Sequence, residues 1–431
     1  MNESSYQDVD DRLELLTLSH FMTSAKTESF NGVLASELLR LCADEKSLRQ
    51  AFKRLILNGR IDCLFCSHDP NPHIKRHHAQ PKERQAALCE IEALDSFCAY
   101  PTVSLLQSTV PPAALSQRPY SRLLMLGMPQ LEPVAFDMGA LERYCSDPRY
   151  KVGFNDYMGN MSIRDNYYFS DQTEASDKTS IQSFGIGFTN SDRPVLIVFL
   201  RYLANLTDEH QQSWNSYRVS TPAKMCKQYY QSCIMGEFWQ NQSVRRALTK
   251  EIRIINEITE SIWGKRLFRQ YFDDETPIDL TAFLRPTNKN YLRFVGALDK
   301  LLSENIDVGF FDGVIDRERE VPRKDGKIVV SQKGSLALLN EWLSVNGSWN
   351  DSTYLDEYVM GPLKDVRKLR QKPAHSLITD HYSEEFYTDR KELLQRVYGS
   401  LSSIRRALMT FPNATCSKIP DWLQNAEIDI F

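Results

Sequence analysis

The chain lacks any apolar run near the roughly 20 residues that a membrane-spanning helix requires. Its longest candidate, Val195-Leu-Ile-Val-Phe-Leu200, is the size of a β-strand. The start, Met1-Asn-Glu-Ser-Ser-Tyr6, is polar and acidic, so no signal peptide is expected there. No internal repeat and no low-complexity tract is visible, and nothing suggests long disorder past the first ten or so residues. The nine cysteines are odd in number and scattered, which excludes a regular disulfide framework. A cytoplasmic protein with reduced, mostly buried thiols is the expectation. A strong excess of one charge is also missing. At a net charge of −4, any nucleic-acid contact must come from local basic patches.

What is present is a chain of 431 residues, too long for one ordinary core. The expected fold class is α+β, mainly α. Three segments are read: a winged-helix-like domain over 1–80, a mixed α/β linking domain over 81–284, and a helical bundle over 285–431.

In the first segment, Leu13, Leu16, His20 and Phe21 suggest one helix, and Leu34, Leu38, Leu39 and Leu41 a second. The third is clearest, with Leu48, Ala51, Phe52, Leu55 and Ile56 at helical spacing, Asp44 to cap it and Gly59 to end it. Residues 60–66 read as a strand, residues 69–72 as a turn, and residues 73–76 as the return strand. Three helices followed by a hairpin resemble a winged helix. Lys46, Arg49 and Lys53 share one face of the third helix, and Lys75 and Arg76 lie in the wing. A DNA-contacting winged helix carries positive charge at those places. The same residues equally suit a solvated face used for dimerisation or protein contact.

Cys63 and Cys66, followed by His68, His73, His77 and His78, offer six nitrogen or sulfur ligands where tetrahedral zinc needs four. Cys66 to His73 is shorter than in a Cys2His2 finger, and no finger helix intervenes. A cysteine-containing hairpin with surface histidines is the better reading, and no metal or other cofactor is expected.

The middle segment offers one clear hairpin, residues 184–188 and 194–200 around a polar turn. Its Gly185 and Gly187 are no nucleotide fingerprint, because no helix follows directly and no third glycine arrives. Glycine in a strand more often marks a close neighbouring backbone. Thr207 is placed to cap a helix through Trp214, and Ile255, Ile258 and Ile262 mark another. Asp273, Asp274 and Glu275 read as a solvated loop. No catalytic constellation is found here.

Four helices are drawn in the last segment, marked by Tyr291–Leu302, Leu336–Leu343, Leu355–Val366 and Leu394–Leu408, with residues 328–330 as a short strand. On the third, Leu363, Val366 and Arg370 are spaced three and four apart. Arg370 therefore sits on the apolar face and needs a carboxylate, a second subunit or a phosphate as partner. Pro373 should kink or stop that helix. His375 follows, about 140° round from Arg370 on an unbroken helix; a break at Pro373 would let both line one cleft, or the two would face one another across a two-fold axis. Lys364, Arg367, Lys368, Arg370 and Lys372 against Asp365 would attract a polyanion.

Histidine can take and return a proton near neutral pH, and arginine presents a fork of donors to a phosphate. A helical bundle with Arg370-Gln-Lys-Pro-Ala-His375 late in a helix resembles the HEPN superfamily over roughly residues 285–415. The resemblance implies a metal-independent endoribonuclease acting as a homodimer, often in toxin or antiviral defence, with an inhibitory or activating protein partner. It makes His375 the proton-transfer residue and Arg370 the phosphate ligand. Gln371 stands where active members often have Asn, Asp or His. The products would be a 2′,3′-cyclic phosphate and a 5′-hydroxyl. The alternative is a non-enzymatic DNA-binding regulator or scaffold that dimerises through the bundle. As a plain structural pair, Arg370 would instead bridge to Asp380, Glu384 or Glu385.

Overall fold

The computed structural model describes residues 3–41, 44–237, 242–270, 280, 283–322, 328–347, 349, 352–371 and 379–430. The chain is α+β and mainly helical. Among the described residues no helix is long and apolar enough to cross a membrane. The backbone divides into two compact units, residues 1–153 with 158–226, and residues 154–157 with 227–431. This division differs from the three segments read from sequence. The first unit takes the N-terminal segment and most of the middle one up to residue 226, and the rest of the middle segment, with the helix of Ile255 and Ile258, belongs to the C-terminal unit.

The N-terminal unit opens with helix α1 (Glu3–Lys26), which buries Leu13, Thr17, Phe21 and Ala25, a stripe repeating every fourth residue. After β1 (Val33–Leu34), the expected second helix is a 3₁₀ segment, Ala35–Leu41. Helix α2 (Glu45–Leu57) buries Leu48, Ala51, Phe52, Leu55 and Ile56. The Asp44 carboxylate accepts from the Ser47 N–H at 2.7 Å, and Gly59 turns the chain with φ +67°. Strand β2 (Ile61–Phe65) follows.

The expected return strand at residues 73–76 is not one. The partner of β2 is β3 (Phe97–Pro101), reached after helix α3 (Lys82–Ile91), and the sheet order is β1-β3-β2. The reason is burial. All five residues of β3 are buried, so that segment fills the sheet's core position. The prolines of Asp69-Pro-Asn-Pro72 lie in irregular backbone, where the Pro72 carbonyl accepts from the Tyr100 hydroxyl at 2.9 Å.

The same unit holds a six-stranded antiparallel sheet from β4 (Pro133–Phe136), β5 (Tyr150–Asn155), β6 (Met158–Ile163), β7 (Ser180–Thr189), β8 (Pro194–Phe199) and β9 (Ala223–Met225). The order is β4-β8-β7-β6-β5, with β9 also on β7. The hairpin read from sequence is the β7–β8 pair, with Gly187 opposite Val195. Gly187 has the close neighbour its position suggested. An added Cβ would lie 2.7 Å from both the Lys224 carbonyl oxygen and Ile197 Cγ1.

Helix α4 (Asp208–Ser216) starts after Thr207 without the side-chain cap expected of it; the Thr207 hydroxyl donates to the Ser176 carbonyl. It carries His210 and Trp214 into the core. The Trp214 indole donates to the Tyr144 hydroxyl at 3.0 Å, which sits 2.6 Å from His210 Nδ1.

The C-terminal unit is a bundle of α5 (Val244–Trp263), α6 (Asn288–Leu301), α7 (Ser335–Asn346), α8 (Gly361–Gln371) and α9 (Glu385–Leu408). One continuous apolar core joins their inner faces. A π-helical turn, Leu355–Met360, leads into α8. Between α6 and α7 a two-stranded hairpin, β10 (Glu318–Pro322) with β11 (Ile328–Gln332), extends the short strand expected at 328–330.

Candidate functional site

Leu363 and Val366 are buried, and α8 lays this face against α6. Arg367 and Arg370, three residues apart, therefore reach the C-terminal end of α6. There Asp299, fully buried at 0 % exposure, accepts through Oδ2 from Arg370 Nη1 at 2.6 Å and from Arg367 Nη1 at 2.8 Å. Its Oδ1 accepts from the Ser303 hydroxyl. Glu304 also accepts from Arg370 and stands 3.7 Å from Arg367. The hydrogen bond to Asp299, then that to Glu304, raises the Arg370 pKa above its ordinary value.

Arg370 thus has the carboxylate partner its place on the apolar face demanded. The partner is not Asp380, Glu384 or Glu385. Asp380 instead accepts from the Lys289 N–H at 2.8 Å at the start of α6. The packing of α8 on α6, which helical periodicity cannot specify, decides this. A signal existed in the sequence: Asp299 interrupts the apolar stripe of Phe294, Val295, Leu298 and Leu302. An acid inside such a stripe calls for a buried cation.

The Arg370 side chain stays 35 % exposed at the last turn of α8, so the guanidinium is fixed from beneath and open outwards. Gln371 ends the helix and is exposed. His375 and Lys372 lie outside the described residues.

The basic run of α8 does not form one patch. Arg367 and Arg370 face α6. Lys364 stands 3.4 Å from Asp356. Lys368 lines a shallow groove with Tyr291, Asp365, Asp389, Glu392 and Arg396, where Arg396 pairs with Asp365 at 2.6 Å. Burial, then the nearby Glu385 and Glu392, raises the Asp389 pKa.

In the N-terminal unit, the residues read as a DNA-contacting face serve largely internal purposes. Arg49 pairs with Glu45 and donates to the Glu92 carbonyl at 2.8 Å, capping the C-terminal end of α3. Lys53 pairs with Glu90 of α3 at 2.6 Å. Lys75 is 4 % exposed and donates to the Gly127 carbonyl at 3.0 Å; burial lowers its pKa. It is not an exposed wing cation, because the segment carrying it is folded inwards. Lys46 is exposed on α2, and Arg76 is half-buried.

Cys63 is buried, and burial pushes its thiol pKa well up; Cys66 is exposed. His73 Nδ1 contacts the Cys98 sulfur at 3.4 Å, and His77 lies 3.6 Å from Asp69. Among the described residues no three His, Cys, Asp or Glu side chains are grouped to hold a metal ion.

No family model, no curated protein and no solved structure matches this chain.

Proposed function

We propose that the C-terminal unit is a metal-independent endoribonuclease. The observation that carries this reading is Arg370 itself. Buried Asp299 and, at the surface, Glu304 hold its guanidinium in place, yet it is partly open at the end of α8, immediately before the segment that contains His375. An arginine anchored on one side is pre-organised to accept a phosphate on the other. His375 takes the proton of the substrate 2′-hydroxyl as its oxygen attacks the adjacent phosphorus; the P–O5′ bond breaks and the leaving 5′-oxygen takes a proton back, giving a 2′,3′-cyclic phosphate and a 5′-hydroxyl. Arg370 stabilises the charge that builds on the phosphoryl oxygens. Gln371, exposed at the end of α8, adds a hydrogen bond in this reading. The enzyme acts as a homodimer, and its setting is toxin or antiviral defence; both follow from the HEPN resemblance.

We read the first hundred residues as a winged-helix module. The support is the strand order β1-β3-β2 with α1 and α2 packed on the sheet. Helix α3 lies against α2 and takes up Arg49 and Lys53, so this module suits a protein partner better than DNA.

The test is cleavage of a mixed RNA pool in the presence of EDTA by wild type, His375→Ala and Arg370→Ala. Cleavage by wild type alone, leaving 2′,3′-cyclic phosphate ends, is the expected result. Loss of wild-type cleavage on chelation, or retained cleavage by His375→Ala, would overturn the proposal.

A further inference from the structure

Three aromatic rings stack on the surface just before α8. Trp349 and Tyr354 lie with ring centroids 6.5 Å apart and planes at 27°. Tyr354 and Tyr358 follow at 5.4 Å and 24°. Both separations fall in the range of offset-stacked pairs. The inner two rings are fastened to the bundle. The Trp349 indole donates to the Leu343 carbonyl at 2.8 Å, and the Tyr354 hydroxyl is 3.1 Å from the Ser403 hydroxyl. Gly347 leaves room for the Trp349 ring, where a Cβ would collide with it.

The outermost ring, Tyr358, is 62 % exposed. An apolar π-face is thus held rigidly at the surface at little further entropic cost. The π-helical turn Leu355–Met360 carries it, a helix irregularity often found at functional sites. Beyond it, Lys364, 3.4 Å from Asp356, and Lys368 are exposed along α8, and Arg370 lies at its end on the face turned to α6. Asp365, between them, is engaged by Arg396. Along the helix axis Tyr358 stands roughly 15–20 Å from Arg370, a span for a few nucleotides of single strand.

An exposed stacking ring, together with cations that meet the phosphates, is how single-stranded nucleic acid is held without sequence preference. We propose that Tyr358, backed by Tyr354 and Trp349, is a base-stacking platform for single-stranded RNA. It positions the strand so that a phosphate a few nucleotides away lies over Arg370. The nature of the ligand rests on the ribonuclease reading above.

The test is binding of a single-stranded 2′-O-methyl oligonucleotide by the full chain. Such a strand has no free 2′-hydroxyl, so binding is read apart from cleavage. Tyr358→Ala should bind it at least about fivefold more weakly than wild type, and Tyr358→Trp about equally. Tyr358→Leu keeps apolar bulk without a flat π-face and should behave as the alanine variant. The same strand in a duplex should bind all four proteins alike. Thermal unfolding of the variants should match wild type, because the ring is exposed. Equal single-strand affinity in wild type and Tyr358→Ala, or no single-strand preference in wild type, overturns the platform. Reduced binding without any His375-dependent cleavage keeps the platform and overturns the ribonuclease. The converse pattern does the reverse.

Discussion

Replacing Asp299 by asparagine keeps the shape of the side chain and removes the charge that Arg367 and Arg370 share. Asp299 is wholly buried, while both arginines are more than one-third exposed. A hydrogen bond to a charged group contributes about 1.5–3 kcal/mol. Two such bonds meet at Oδ2, but the arginines can turn towards water and asparagine still accepts one of them. The net loss should therefore be about 2 kcal/mol. For a unit of this size that lowers Tm by about 4–8 °C. The two compact units need not unfold together, so the change is read from the transition that Arg370→Met also shifts.

A double-mutant cycle of Asp299→Asn with Arg370→Met should give a coupling of about 1 kcal/mol or more. The buried position of the carboxylate should make that coupling weakly dependent on salt. A destabilisation under about 0.5 kcal/mol, the range of ordinary surface substitutions, would refute the claim that Asp299 anchors Arg370.

Three further outcomes follow from the packing. Burial, and then the charge of Arg143, lowers the His210 pKa to about 4, whereas the unfolded chain takes up the proton near 6.5. The N-terminal unit should hold its full His210 contribution above about pH 6.5 and lose roughly 3 kcal/mol as the pH falls towards 4; Trp214 fluorescence during urea unfolding reads this, and pH-independent stability over that window would contradict it. Gly187→Ala should cost about 1–3 kcal/mol, because its Cβ meets the β9 backbone, and an unchanged denaturation midpoint would show that the strands give way freely. Arg49→Ala should lower stability by about 1–2 kcal/mol through the lost cap on α3 while leaving any DNA affinity unchanged; a weakened DNA complex with unaltered stability would restore the DNA-contact reading.

The sequence alone determined the elements whose cause is local. The stripe from Leu48 to Ile56, with Asp44 and Gly59 at its ends, specifies α2, because side-chain periodicity and cap chemistry act within a few residues. The same holds for the β7–β8 hairpin and for the bundle helices of Phe294, Leu339 and Leu401. The place of Arg370 on an apolar face was equally legible, and so was its need for a partner. Only the tertiary structure decided which residues answer one another. Phe97–Pro101, not residues 73–76, completes the first sheet, because pairing is settled by which strand buries best, over any distance in the chain. Asp299 and Glu304 reach Arg370 across 71 and 66 residues because α8 packs on α6. Lys75 reads as a surface cation and is buried, since a charge's surroundings come from other segments rather than from its neighbours in sequence.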